Sequence, residues 1–229
     1  MSVLEVSDRR WSEAQHFERG FALTQRVKQD DWNYWWAEKF EGYKHLRGRN
    51  LENVLEVGCG PNTNIRFILE LVNCRHVYLE DPLIQTYLQF PCFVSSVSKD
   101  NQLGVDVTSH RLEALPYKDN LMDLVVCINV LGHIQSVPKA LEEMERVLKP
   151  GGLLILGEDL TNDEDCLRCP DVVVDVGHPI RIDLDDLSIH SRLDRYNTIF
   201  ERMLPQNEGR NPRAHYGTLV GIYEKPVVR

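Results

Sequence analysis

The chain has 229 residues, and 26 Lys and Arg against 35 Asp and Glu give it a formal net charge of -9. Hydrophobic residues at 42% and charged residues at 27% exclude a collagenous or wholly disordered chain. The length fits one domain, or one domain with an added subdomain. No apolar run approaches the roughly 20 residues that a bilayer span needs, and the first residues lack a signal-peptide layout. We therefore expect a cytoplasmic protein with no membrane insertion.

The acidic balance disfavours nucleic acid as a partner. Proteins that hold phosphate backbones cluster Lys and Arg on one face. Here the basic residues are scattered, and the tightest group, Lys44, Arg47 and Arg49, is small. We therefore expect a small-molecule partner rather than a nucleic acid. The sequence contains no signal for the oligomeric state.

The cysteines give no clear metal site. Cys166 and Cys169 form a C-x-x-C, and His178 follows. A structural zinc site needs four ligands, commonly two such pairs, and there is no second pair. We therefore predict that the protein needs no metal.

The first zone, residues 1–50, is aromatic-rich and is predicted to be an N-terminal helical cap or lid on a domain formed by residues 51–229. The capping-box spacing of Ser12 and Gln15 predicts the start of a first helix.

A second helix is predicted to start at Asp31, because Trp32, Trp36, Phe40 and Tyr43 recur at helical spacing. Two interpretations of these aromatic residues stay open. They either dock the helices onto the main core or form a wall over a substrate pocket.

The middle of the chain alternates apolar strands with amphipathic helices. The predicted strands are 53–57, 76–79, 122–129 and 153–156. This alternation is typical of a parallel sheet with helices on both faces.

The turn after the first strand has the features of an adenosine site. Gly58 and Gly60 allow a sharp turn and close approach of a ligand to the backbone. About twenty residues later, Glu80 and Asp81 end the second strand, where a carboxylate can accept from ribose hydroxyls. Either acid could do so. We favour Asp81, because Pro82 then starts the next helix.

The type of adenosine cofactor follows from two further residues. The dinucleotide fingerprint has a third glycine where this chain has Thr63. Glu56 precedes the loop, and a carboxylate there suits a cationic ligand better than a pyrophosphate. S-adenosylmethionine has no phosphate and carries a sulfonium and an ammonium. It is the favoured cofactor, and a nicotinamide-dependent oxidoreductase is the weaker alternative.

At this point the sequence resembles the class I S-adenosylmethionine-dependent methyltransferases, in particular the methyltransferase type 11 group. Five segments between about residues 51 and 160 resemble the family's motifs in family order: residues 54–60, 80–82, 112–117, 123–134 and 146–152.

The resemblance implies an α/β fold, a Rossmann-like doubly wound seven-stranded sheet with the last strand antiparallel. The tail fits this fold, with a helix expected over 185–193 and strands over 198–204 and 216–224. The family's Asn-Pro-Pro-Tyr type sequence is missing after the fourth strand. Planar amino groups of adenine or glutamine are therefore disfavoured as acceptors.

The resemblance and the strand-end logic together imply the site residues. Those expected at the cofactor are Glu56, Gly58, Cys59, Gly60, Asn62, Asp81, Leu112, Glu113 and Asn129. The two histidines His133 and His178 are the catalytic candidates, with His133 as the general base.

The function expected is methyl transfer from S-adenosylmethionine to a small polar or sugar-like acceptor, at oxygen. The acceptor is expected between His133, His178 and aromatic residues such as Trp35 or Trp36. The other alternative is a module that binds the cofactor without catalysis.

Overall fold

The computed structural model describes residues 2–25, 32–93, 103–161, 176–210 and 216–227. A seven-stranded sheet with the order β3-β2-β1-β4-β5-β7-β6 forms its centre. The strands are β1 (Asn50–Val57), β2 (Asn73–Glu80), β3 (Gly104–Thr108), β4 (Met122–Ile128), β5 (Leu148–Leu160), β6 (Asn197–Pro205) and β7 (Gly217–Glu224). The first five are parallel, whereas β7 runs antiparallel to both of its neighbours. The predicted Rossmann-like sheet with an antiparallel last strand is confirmed.

Helices cover both faces of this sheet. Their bounds are α1 (Asp8–Gln25), α2 (Asn33–Lys39), α3 (Ile65–Ile68), α4 (Ile84–Tyr87), α5 (Val137–Val147) and α6 (Leu184–Ser191). None of the helices in the described ranges combines the length and apolar character needed to cross a membrane.

The central strands are buried on both faces, as their continuous apolar sequences predict. Val54 and Leu124 pack into one core cluster, while the adjacent Leu55 and Val125 pack into the other. Successive side chains of a strand point to opposite faces, so each strand contributes to both clusters. The ends of β1, β2 and β4 therefore lie at one rigid edge of the sheet, and the site is built there.

The first helix begins earlier than the capping-box spacing predicted. It starts at Asp8, because Ser7 Oγ accepts the backbone N–H of Arg10 at 3.3 Å and so satisfies a free donor of the first turn. The predicted start at Ser12 is therefore wrong.

The second aromatic segment is helical for a shorter stretch than its spacing predicted. Helix α2 ends at Lys39, and a 3₁₀ helix follows over Glu41–Leu46 with Gly42 and Tyr43 at φ angles of 64° and 54°. The predicted start of the helix, Asp31, lies outside the described residues.

This aromatic segment packs in the main core. Trp36, Phe40 and Tyr43 belong to the same buried cluster as Val54 and Leu124 of the sheet. These three aromatic residues therefore dock the segment onto the main core.

The later elements lie close to their predicted positions. Helix α6 ends two residues before the predicted 193, and β6 and β7 match the predicted strands to within a residue at each end. Cys166 and Cys169 lie outside the described residues.

We expect the removal of the Trp36 side chain to destabilise the fold far more than the removal of the Trp32 side chain. Its side chain is 1% exposed and packs against Phe40 and Gly157, whereas Trp32, on the same segment, is 52% exposed. Trp36→Ala should lower the free energy of unfolding by about 3–5 kcal/mol through cavity formation. Trp32→Ala should cost below about 1 kcal/mol. Urea unfolding of both variants tests this, and equal losses would contradict the assignment.

Candidate functional site

A cavity of about 250 Å³ lies at the carboxyl ends of β1, β2 and β4. In an open α/β sheet, ligands bind in the crevice at this edge. Helices α1 and α2 line its outer side through Trp11, Glu18 and Trp36. The N-terminal segment therefore contributes directly to the cavity wall.

The loop after β1 needs both of its glycines, but for different reasons. Gly58 and Gly60 have φ angles of 60° and 59°, which favour glycine. A Cβ on Gly58 would clash with the side chain of Val130, whereas a Cβ on Gly60 would meet no atom within 4 Å. The backbone at Gly60 thus faces open cavity space, where a ligand can lie against it.

Asp81 is a buried carboxyl group on the cavity wall. Its Oδ2 accepts the N–H of Gly60 at 3.0 Å, and its Oδ1 accepts the N–H of Leu83 at 2.8 Å. Burial raises the pKa of Asp81 to about 6, while these two hydrogen bonds oppose the shift. A carboxylate has about four acceptor positions, so Asp81 can still accept from a diol.

Glu80 also borders the cavity, but protein donors surround its carboxyl group. The hydroxyls of Thr108 and Tyr117 and the backbone N–H of His110 all donate to it. Of the two acids left open by the sequence, Asp81 therefore has more acceptor capacity for a ligand.

Glu56 is placed differently from the sequence-based expectation, which put it beside the cofactor. It does not line the cavity. Its buried carboxyl group accepts from the Thr63 hydroxyl, the backbone and side-chain amides of Asn64 and the N–H of Ile65. Burial raises its pKa. Glu56 thus fixes the start of α3, because it satisfies backbone donors there.

Leu112 and Glu113 line the cavity as expected, on a 3₁₀ turn after β3. Glu113 Oε1 accepts the backbone N–H groups of Gln135 and Ser136, the latter at 3.0 Å. Its carboxylate therefore also holds the chain that leads into α5. Cys59 and Asn62, on the loop after β1, also line the cavity.

Asn129 follows β4 with a φ angle of 58°, and its Oδ1 accepts from Arg210 at 3.1 Å. The Arg210 guanidinium also donates to Asp159 at 2.8 Å and lies 5.6 Å and 6.0 Å from the ring centroids of Trp32 and Trp36. Arg210 could not be identified from the sequence, because it follows β6 at the edge of the sheet and only the fold brings it to the cavity. These residues form a polar and aromatic wall.

His133 lies at the same end of the cavity. Its Nδ1 is 3.1 Å from the carbonyl of Gly177, which can only accept, so Nδ1 donates to that carbonyl. The His178 ring lies 4.2 Å from it between centroids. The two predicted catalytic histidines are therefore adjacent. Trp36 lines the cavity, whereas Trp35 does not.

Glu18 joins the two histidines from α1 and was not singled out from the sequence. Its Oε1 lies 3.8 Å from His133 Nδ1. Burial, and then the nearby charge of Asp81, raise its pKa to about 7. Glu18 follows the buried Ala14 by four residues, so an acid on the apolar face of a helix was the signal that could have found it.

Glu158, near the end of β5, is a second missed acid. It is fully buried and accepts the N–H groups of Val130 and Leu131 at 3.2 Å and 3.0 Å. Burial raises its pKa to about 8. Glu158 thus holds the turn that carries His133.

The comparisons agree with this fold. Residues 55–156 match the family described as "Methyltransferase domain". The thiol S-methyltransferase TMT1B of Rattus norvegicus is 31% identical over 131 residues, which cover 56% of this chain and 51% of the relative. The chain spans about half the length of the curated relatives it matches.

Solved structures share the fold at low identity. The [4+2]-cyclase SpnF aligns with a TM-score of 0.67 at 16% identity, over 100% of both chains. The N-methyltransferase NodS from Bradyrhizobium japonicum WM9, in complex with S-adenosyl-L-homocysteine, aligns with a TM-score of 0.58 at 15% identity, over 83% of this chain and 88% of its own.

A doubly wound sheet with a glycine loop after β1 and an acid after β2 defines a protein that takes an adenosine cofactor. Together with the family match over residues 55–156, it shows that this part of the chain has the fold of a methyltransferase domain.

Asp81 should be the acid on which cofactor affinity depends. We expect Asp81→Asn to weaken S-adenosylmethionine binding by roughly 1.5–3 kcal/mol, because a charge-assisted hydrogen bond is lost. The matched variant Glu80→Gln should affect stability more than affinity, since Glu80 serves Thr108 and Tyr117. Isothermal titration and thermal unfolding of both variants separate the two effects. A larger loss of affinity in Glu80→Gln would reverse the assignment.

Glu158 should make stability depend on pH. The unfolded carboxyl group loses its proton near its ordinary pKa of 4.5, whereas the folded group keeps it up to about 8. The folded state therefore binds more protons in this window, and stability falls as pH rises through it. Between about pH 5.5 and 7.5 the parent should lose about 1–2 kcal/mol more than Glu158→Gln. Urea unfolding at both pH values measures this, and equal losses would contradict it.

Proposed function

We propose that the protein transfers a methyl group from S-adenosylmethionine to a small polar acceptor, at an oxygen atom. The observation that carries the proposal is the position of His133, which lines the cavity beside a second histidine and a carboxyl group. A neutral imidazole is the usual side chain for removing a proton near neutral pH. A hydroxyl acceptor needs such a group more than a thiol or an amine does.

The cofactor end of the cavity fits S-adenosylmethionine. Asp81 offers a buried carboxylate for the ribose hydroxyls, and the space over Gly60 is open. Glu18, Glu80 and Glu113 add negative charge to the wall, which favours a cofactor that carries a sulfonium and an ammonium. When bound, the cofactor supplies an electrophilic methyl group.

At the acceptor end, the residues of this chain can position the acceptor, limit the access of water and accept a proton. Asn129 and Arg210 offer polar contacts that orient an acceptor, while Trp36 offers an aromatic face. Helices α1 and α2 narrow the access of water. Alignment of the reacting atoms can supply several kcal/mol of the barrier. His133 then takes the acceptor proton.

A sugar-like acceptor fits this wall. The rings of Trp32 and Trp36 border the cavity near Arg210, so an acceptor can pack its apolar face on a ring while its hydroxyls meet the polar groups. The relatives do not decide the acceptor, because the names of TMT1B and NodS point to sulfur and to nitrogen. SpnF is named a cyclase, so the fold alone does not fix the chemistry.

His133 should be needed for turnover but not for cofactor binding. We expect His133→Ala to lower turnover by about 10²-fold or more, because the acceptor keeps its proton. Release of S-adenosylhomocysteine from S-adenosylmethionine is measured with a panel of small hydroxyl, thiol, amine and saccharide acceptors. The affinity for S-adenosylmethionine should stay near that of the parent.

The control is His16→Ala, a substitution of an exposed histidine on α1 that should leave turnover unchanged. Turnover with thiols alone would contradict an oxygen acceptor. Tight S-adenosylmethionine binding without turnover on any acceptor class would favour a non-catalytic binding module. Full turnover in His133→Ala would refute the role of this histidine.

A further inference from the structure

We propose that Glu18, His133 and His178 form a binding site for one divalent transition-metal ion at the wall of the cavity. This site differs from the sequence-based expectation of a metal-free protein, which rested on Cys166 and Cys169. Metal binding itself does not depend on the proposed function. Only the role assigned to the ion in activating the acceptor rests on it.

The three side chains converge from separate parts of the fold. Glu18 lies on α1, His133 on the turn after β4, and His178 on the segment that leads to Ile180. One oxygen of Glu18 and one nitrogen of each imidazole lie within 4.8 Å of one another. Ligands at about 2.1 Å from a tetrahedral ion are about 3.5 Å apart. Small side-chain rotations therefore bring the three atoms onto one ion.

Two glycines make room for this cluster. A Cβ on Gly177 would clash with Glu18 Oε1, and a Cβ on Gly132 would lie 3.3 Å from His178 Cδ2. Neither glycine has a positive φ angle, so backbone conformation does not require them. The space that they leave is occupied by the two proposed ligands.

The backbone also holds His133 as metal sites hold their histidines. A ligating histidine usually donates its other ring N–H to a carbonyl or carboxylate, which fixes the tautomer and the ring. Here the Gly177 carbonyl is 3.1 Å from His133 Nδ1.

Charge favours a cation at this place. Glu18 is largely buried near Asp81, and a buried carboxylate is costly without a positive partner. Within the described residues, the basic side chain in ion-pair distance of Glu18 is His133 alone. A divalent ion would compensate this carboxylate.

The ligand set indicates the type of ion. Two imidazoles and one carboxylate suit Zn²⁺, Co²⁺ or Fe²⁺, whereas Mg²⁺ and Ca²⁺ prefer oxygen ligands. Three protein ligands leave a position open toward the cavity, as in catalytic zinc sites. A bound acceptor hydroxyl at that position would have a lowered pKa. In that state His133 is a ligand, and the ion takes over the activation of the acceptor.

The test measures metal binding without turnover. Tag-free protein is stripped with a chelator and titrated with Zn²⁺ by calorimetry and with Co²⁺ by visible absorption. We expect one ion per chain. Glu18→Gln and His178→Ala should each weaken its binding at least about tenfold, because one of three ligands is lost. The matched controls Glu13→Gln and His16→Ala change exposed side chains of α1 and should bind like the parent.

The outcomes separate the alternatives. Absence of stoichiometric binding in the parent would overturn the proposal, and so would equal binding by the cluster variants and their controls. Loss of the ion in Cys166→Ser or Cys169→Ser, with binding retained in Glu18→Gln, would place it on the C-x-x-C instead. Metal binding that follows the cluster, in a protein inactive on every acceptor, would support the site and refute the proposed function.

Discussion

The site depends on buried carboxylates that accept backbone N–H groups at the carboxyl edge of the sheet. Glu56 binds the start of α3, Asp81 binds the glycine loop at Gly60, and Glu158 binds the turn that carries His133. Each of these side chains satisfies backbone donors and ties a loop to a rigid strand. Burial raises the pKa of all three acids. The loops at the carboxyl edge of the sheet are therefore fixed in place, although burying the three acidic groups costs desolvation free energy.

The sheet and the cofactor end of the site could be predicted from the sequence because their signals are local. Apolar runs bounded by turns predicted the strands, and the glycine loop followed by Asp81 predicted the edge of the sheet at which the cavity lies. Both depend on short stretches of chain whose conformations follow from a few residues. The start of α1 was wrong because two caps competed, and Ser7 lies closer to the N-terminus than Ser12.

The acceptor end could not be predicted in the same way because it is assembled from distant segments. Glu18 on α1 and Arg210 after β6 reach one cavity, and His178 after β5 lies beside Glu18, only through the tertiary fold. Glu56 illustrates a different limit of the sequence, which concerns the direction of a side chain. Its position in the motif was predicted, but its side chain turns away from the cavity toward Asn64 and Ile65, and sequence spacing does not fix such a direction.

The acidic lining of the cavity has a consequence for the reaction cycle. Four acids line the cavity: Glu18, Glu80, Asp81 and Glu113. Among the described residues, the arginines that line it are Arg111 and Arg210. Methyl transfer turns a sulfonium into a neutral thioether, so the spent cofactor carries one positive charge less. The attraction exerted by the carboxylates is then weakened in the same step that completes the chemistry. Such a wall would attract the sulfonium form of the cofactor more strongly than the neutral thioether.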